Sequence, residues 1–317
     1  MKELLIVLIA LYFLGSIPQV EMNKRWMTNA NLQNKAWPQI KVPGTHNSGT
    51  YGLSRDYSID TQYDQTMAIM PLLAQTFSMY GVNSSLIKDV MIPWMTCQKN
   101  SIYRQLKDGI RHFDFRLCQQ GAEYHLCHGF IGPRMRDVLS QIRSFLLNNP
   151  NEKVLLDFNH VYGVTNHSDV TRNILEVLGD MIIPRGNINV PLGLLSGKVF
   201  VFYSGNQNDF DNSNLLNTLW ANKQNMQDLI NYQVTTQNSR NDPSKVFVSQ
   251  FLMTPSLDMI ASGLVQNKKA KSVKDLAKKY YWQIPSVISS MYNSSLVNTV
   301  STDFYTDAFV SSIISMN

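Results

Sequence analysis

Short apolar runs that end in polar or conformationally special residues alternate with amphipathic segments along most of the chain, and that alternation leaves few folds open. The runs are Ile40 to Pro43, Ile110 to Leu117, Val154 to Phe158, Lys198 to Tyr203, Val246 to Phe251 and Leu296 to Thr302. Each reads as a buried strand. Between them, Met135 to Leu147 sets Val138, Ile142, Phe145 and Leu146 at helical spacing and stops at Asn148-Asn149-Pro150. Ser168 to Met181 and Ser272 to Trp282 have the same character. Strands alternating with helices imply βα units around a parallel sheet. For 317 residues the expectation is an α/β protein built as a single distorted (β/α)8 TIM-type barrel. An open doubly wound sheet is disfavoured because no glycine-rich dinucleotide or phosphate loop follows any strand. In such barrels the site lies at the C-terminal mouth, where the polar residues ending these runs fall.

The N-terminus carries a separate signal. Met1-Lys2-Glu3 precedes an unbroken apolar run from Leu4 to Leu14 and then Gly15-Ser16-Ile17-Pro18. That run is shorter than the roughly 20 residues a bilayer span needs. It fits a signal peptide over 1–20, with 21–317 as one barrel domain of a secreted or lumenal protein. In that setting Cys118 and Cys127, flanking Gln119-Gln120-Gly121-Ala122, either pair across a hairpin or stay as reduced core thiols, with Cys97 unpaired and buried. Potential glycosylation acceptors at Asn83, Asn166 and Asn293 agree with export. Charged residues are only 16% of the chain and hydrophobic ones 44%, which argues for a large core and against disorder. The 28 Lys and Arg against 23 Asp and Glu leave +5, a mild surplus that permits an anionic lipid or phosphate. Lys268, Lys269, Lys271, Lys274, Lys278 and Lys279 read as a solvated helical face. No nucleic-acid partner is expected, and a monomer is.

Chemistry concentrates on three strand ends. With a two-residue period, His112, Asp114 and Arg116 share one strand face while Phe113, Phe115 and Leu117 take the other. An acid and a guanidinium two apart in a barrel lumen must be paired or bound to something, and arginine suits a phosphate. His46 follows a Pro-Gly turn at a strand end, and His128 precedes Gly129. Two histidines facing one phosphodiester can serve as general base and general acid, with Arg116 stabilising charge on the phosphoryl oxygens. Asp157 and Asn159 share a face at another strand end, with His160 beyond, and read as hydroxyl binders or as a network closing the barrel. Met67 to Met95 is rich in Met and aromatic residues. It reads as an outer barrel helix with an adaptable core face or as a rim that dips into lipid.

Four of these motifs in register resemble the X-box of phosphatidylinositol-specific phospholipases C, most closely the eukaryotic branch that has the X domain alone. They are the stretches Val42 to Gly49, Gly109 to Arg116, His128-Gly129 and Leu156 to Gly163. The resemblance implies a distorted TIM barrel that cleaves the glycerol-phosphate bond of a phosphoinositide at a membrane surface. It implies His46 as the base on the inositol 2-hydroxyl and His128 as the acid for the leaving diacylglycerol. Arg116 would bind the phosphate, Asp114 would support the acid side, and Asp303 would orient the base. Asn47 stands where metal-independent bacterial members have Asp. Arg116 and Phe158 fall where calcium-dependent members place acidic ligands. Phe202 and Gln250 fall where bacterial enzymes grip inositol hydroxyls with an arginine and an acid. A divalent cation beside a fixed guanidinium is repelled, so no cofactor is expected, with Ca2+ as the alternative. Asn47, Asp157, Asn159, His160 and Gln250 are the candidate substrate-binding residues.

Two other functions are compatible with the sequence. One is a lipid head-group binding barrel with little turnover, motivated by Asn47, Phe202 and Gln250. The other is a different barrel phosphodiesterase acting on glycerophosphodiesters or sphingomyelin, which needs a metal-binding carboxylate cluster that this chain does not obviously supply.

Overall fold

The computed structural model describes residues 23–55, 75, 84–205, 209–211, 213–265, 270–291 and 297–317. The leader read at 1–20, Asn83, Asn293 and Met67 to Tyr80 apart from Gln75 lie outside the described residues. Nine strands form one mixed sheet: β1 (Val42–Thr45), β2 (His112–Gln120), β3 (Glu123–His128), β4 (Phe130–Arg134), β5 (Val154–Tyr162), β6 (Val199–Tyr203), β7 (Leu216–Leu219), β8 (Val246–Phe251) and β9 (Thr299–Thr302). All six apolar runs became strands within a few residues. Short β7, with polar Asn217 and Thr218, gave no apolar run to read.

Seven strands run parallel in the order β6-β5-β2-β1-β9-β8-β7. Among the described residues no ladder joins β6 to β7; an isolated bridge from Phe202 to Asp211 extends the β6 edge. β2 outruns β1: it stays paired with β5 as far as Cys118 while its other edge, from Leu117 to Gln120, pairs antiparallel with β3, which pairs with β4. This hairpin lifts His128 to the same end of the barrel as the end of β1.

The helices lie outside this wall: α1 (Trp26–Asn29), α2 (Ser84–Met95), α3 (Ile102–Asp108), α4 (Met135–Asn148), α5 (His167–Leu178), α6 (Met226–Asn238), α7 (Leu257–Val265), α8 (Val273–Lys278), α9 (Ile284–Met291) and α10 (Asp307–Ile314). Helix α4 begins and ends close to its sequence reading, and its apolar stripe is buried. Asn166 is exposed and caps α5 by accepting from the Asp169 N–H at 3.1 Å. Met91, Trp94 and Met95 of α2 are buried in the outer core, so this part of the Met-rich segment packs inward rather than offering a lipid-facing surface. No helix among the described residues is long and apolar enough to cross a membrane.

The period of two along the strands separates two cores. Phe113, Phe115, Leu156, Phe158, Val201 and Val300 join the helices in a large outer cluster. Val42, Leu155, Phe200, Phe202, Val246 and Val248 join Trp37 and Ile40 in an inner one. The inner cluster fills the lower lumen, where Trp37 meets Phe200 edge-on with ring centroids 5.3 Å apart. His112 lies on the inner face just above. Gly44 on β1 is required there, because a Cβ would come within 2.8 Å of His112 Nδ1. Both His112 ring nitrogens are buried without a hydrogen-bond partner among the described residues, and burial lowers its pKa from 6.5 to about 4.

Just before β2 begins, next to His112, α1 is tied down by charge. Glu152 is fully buried and accepts from Arg111 Nη2 at 2.8 Å and Nε at 3.0 Å, from the Thr28 N–H at 3.0 Å and from Thr28 Oγ1 at 2.9 Å. Arg111 also donates to the Leu106, Ile110 and Lys24 carbonyls and lies over the Phe145 ring. Cys118 and Cys127 sit together with Ile131 in a small apolar cluster, as thiols and not as a disulfide.

Two outcomes follow for stability. Glu152→Ala strands a buried guanidinium and should cost about 3–5 kcal/mol, measured by urea unfolding. For His112 the unfolded chain takes up the proton first. Its contribution is therefore complete above pH 6.5 and is lost as pH falls towards about 4, a loss of about 3 kcal/mol. Urea midpoints across that range should fall less steeply in His112→Leu than in the native chain.

Candidate active site

Three strand ends deliver three side chains to one mouth, and each is followed by a left-handed residue that turns the chain away. Asn47 after His46 has φ +43°, Gly129 after His128 has φ +67°, and Phe304 after Asp303 has φ +47°. For Asn and Phe this conformation is sterically disfavoured, so the surrounding bonds have to hold it. The His46 N–H donates to the Thr302 carbonyl, the Asn47 N–H to Asp114 Oδ2 at 3.0 Å, and the Ser48 N–H to the Asp114 carbonyl at 2.8 Å. The Phe304 N–H donates to the Cys97 carbonyl at 2.8 Å. The Gln98 side-chain amide joins the two main strand ends by donating to the His46 and Thr302 carbonyls.

The histidines are oriented through Nδ1. His46 Nδ1 lies 2.8 Å from Asp303 Oδ1. A carboxylate only accepts, so Nδ1 carries a proton and Nε2 of the neutral ring is the basic nitrogen. His128 Nδ1 lies 2.7 Å from the carbonyl of Met95, the last residue of α2, and is protonated for the same reason. The two ring centroids are 6.5 Å apart at 75°, and both rings are mostly buried. One side of this mouth therefore presents a carboxylate-backed histidine and a second histidine held by a main-chain carbonyl, a pair suited to acid-base chemistry.

Asp114 sits between these groups. It faces His46 Nε2 at 3.9 Å and accepts from the Asn159 amide at 2.7 Å. Burial would raise its pKa, but the His46 and Arg116 charges and the Asn47 N–H outweigh burial and hold the carboxyl below its ordinary range. Its register partner Asp157 is the opposite case. Burial first, and then the neighbouring Asp114 charge, push Asp157 well above the ordinary carboxylate range, so the two acids are driven in opposite directions. Asn159 serves both acids, donating to Asp157 Oδ2 at 3.3 Å as well. A bulge makes this possible: Phe115 pairs with Phe158 but Arg116 pairs with His160, leaving Asn159 as the extra residue. Its Oδ1 lies 2.5 Å from His160 Nδ1.

Other expected residues are placed differently. Phe158 is not at the mouth: it is buried in the outer core against Phe115 and Tyr203. The correction follows from the strand period, which sends Asp157 and Asn159 inward and Phe158 out. Asn47 turns its side chain to Cys97 Sγ at 3.6 Å, leaving its N–H as the group on Asp114. Phe202 is buried in the lumen beside Asp157, and Gln250 on β8 donates to Thr218 Oγ1 on β7 at 2.9 Å. Cys97, Gln98 and the Met95 carbonyl belong to the site's framework and were not assigned there from sequence, because no strand-end pattern marks them.

The donor set matches calcium poorly. That ion takes six to eight oxygen ligands, whereas here Asp114 already accepts from the Asn47 N–H and the Asn159 amide, which also reaches Asp157, beside the Arg116 charge.

The family model for the phosphatidylinositol-specific phospholipase C X domain matches residues 72–201. Human PI-PLC X domain-containing protein 2 is 31% identical over 263 residues, covering 78% of this chain and 83% of its own. PI-PLC X domain-containing protein 3 of Danio rerio is 27% identical over 312 residues, 92% of each chain. The variant-surface-glycoprotein phospholipase C of Trypanosoma brucei brucei is 26% identical over 256 residues, 73% of this chain and 69% of its own. Among solved structures, a Staphylococcus aureus phosphatidylinositol-specific phospholipase C superposes with a TM-score of 0.66 at 17% identity, covering 94% of this chain and 99% of that one. The enzyme from Listeria monocytogenes gives 0.62 at 16%, covering 93% and 98%. At those identities the likeness is one of fold. With its X-box motifs gathered at one mouth and a relative of this similarity along most of its length, the chain belongs to the phosphatidylinositol-specific phospholipase C X-domain family.

Proposed function

We propose that the protein is a phospholipase C that cleaves the glycerol-phosphate bond of a phosphoinositide without a metal ion. The observation that carries this reading is the pairing of His46, backed by Asp303 at 2.8 Å, with His128 across the mouth at 6.5 Å between ring centroids. In the proposed reaction His46 Nε2 takes the proton of the inositol 2-hydroxyl, whose oxygen attacks phosphorus. The bond from phosphorus to the glycerol oxygen breaks, and protonated His128 gives its Nε2 proton to that oxygen. Arg116 stabilises the negative charge on the phosphoryl oxygens. Asp114, beside His46 and Arg116, stabilises the imidazolium that forms as His46 takes the proton and steadies the Arg116 guanidinium. Asp157, whose ionisation is opposed by burial and by the Asp114 charge, would hydrogen-bond a substrate hydroxyl.

Leu219 and Trp220, 40% and 55% exposed, end β7 at the same end of the barrel. They suit a substrate presented in a lipid surface. The leader read at 1–20 supports action outside the cytosol. Phe202 beside Asp157 favours a second reading, a head-group binding barrel with little turnover, because the lumen lacks a guanidinium at that point.

Incubating the mature protein with phospholipid vesicles, with and without a chelator, and resolving the water-soluble products separates these readings. A cyclic inositol phosphate is expected in both conditions. His46→Ala should lower its rate by at least about 100-fold, and Asp303→Asn should lower it with vesicle binding unchanged. Vesicle binding with no released phosphate ester would establish the second reading, and activity lost to a chelator and restored by calcium would overturn metal independence.

A further inference from the structure

We propose that the inner side of the His46 and Asp303 pair is also a site for a thiophilic divalent cation of the zinc class, ligated by Cys97, His46 and Asp303, and that occupancy switches the base off. One ligand atom from each of these residues lies within 4.8 Å of the other two, the one such His, Cys, Asp or Glu group among the described residues. Zinc bonds of about 2.3 Å to sulfur and about 2.0 Å to nitrogen or oxygen set ligand atoms roughly 3.3–3.6 Å apart in a tetrahedron. Closure therefore asks for shifts of about 1 Å, with water as the fourth ligand. His46 keeps 12% of its side chain exposed, which gives the cation a way in from the mouth.

The chemistry selects the ion. A thiol, an imidazole and one carboxylate are the donors that zinc or cadmium takes and calcium does not. Cys97 is 2% exposed, and burial, with the Asp303 charge next, raises its thiol well above the ordinary range. The resting site therefore holds a thiol. Binding replaces the S–H bond by a metal–sulfur bond and releases one proton to solvent, with no change of oxidation state. The Asn47 amide, 3.6 Å from Sγ, remains as a donor to the resulting thiolate. Ligation through His46 Nδ1 moves the ring proton to Nε2 and takes Asp303 from its hydrogen bond. A ring protonated on Nε2 cannot accept the substrate proton. Inactivation by the cation rests on the proposed function, whereas the binding does not.

Titrating the purified full-length protein with Cd2+ should raise the ultraviolet thiolate-to-metal absorption to a plateau at one ion per chain. The band should vanish in Cys97→Ser and persist in Cys118→Ser and Cys127→Ser, with circular dichroism reporting the fold of each. Competition by Zn2+ should weaken about tenfold or more in Asp303→Asn. X-ray absorption at the zinc edge of the native protein reads the ligand set without any variant, and one sulfur with nitrogen or oxygen neighbours is expected. No band in the native protein, a band that survives Cys97→Ser, undiminished Zn2+ competition in Asp303→Asn, or a sulfur-free zinc shell would each overturn the site. Because none of these readouts uses turnover, a protein that binds the cation but releases no phosphate ester would retain the site and lose the phospholipase reading.

Discussion

The mouth of this barrel depends on where one negative charge sits. Asp114 and Asp157 are register partners on adjacent strands, and the Asn159 amide donates to both. Their surroundings pull them apart: His46, Arg116 and the Asn47 N–H favour the charged form of Asp114, whereas burial and the Asp114 charge oppose that of Asp157. Phe202, beside Asp157, reinforces that contrast. Two chemically identical side chains are thus shifted in opposite directions by environment alone.

The same arrangement explains why a histidine is buried under the site without partners. His112 faces inward directly below Asp114, in a lumen that Gly44 keeps open for it. It stays neutral because burial opposes its charge more strongly than Asp114 favours it. A charged imidazole there would compete with the Arg116 guanidinium for Asp114. Stability of the barrel and charge placement at the mouth are thus coupled through adjacent residues of a single strand.

Much of this was readable from the chain itself. The period of two in Ile110 to Leu117 put His112, Asp114 and Arg116 on one face, and the structure keeps them there. Asp303 was legible through a motif rather than a period, and it meets His46 as the family resemblance implies. Phe158 was misplaced because matching motifs position by position ignored the strand's own alternation. Asn159 escaped a full reading because its orientation depends on a bulge that no spacing announces. Cys97, Gln98 and the Met95 carbonyl were illegible for a deeper reason. They act through backbone atoms and through proximity created by the way α2 ends against the mouth, and neither leaves a periodic trace. Strand β7 was missed because its inner position is partly polar.

The three left-handed residues that follow His46, His128 and Asp303 carry a consequence for how such a site can change. Two of the three are not glycine, so the turns persist against a local preference and are maintained by bonds reaching them from other strands and from the end of α2. Glycine at Asn47 or Phe304 would ease the turn but widen the range of conformations the preceding side chain explores. Sequence drift at these positions therefore meets a trade between local ease and angular precision. A relative that carries glycine there would be expected to recover its rigidity elsewhere, through a tighter loop or an extra cross-strand bond.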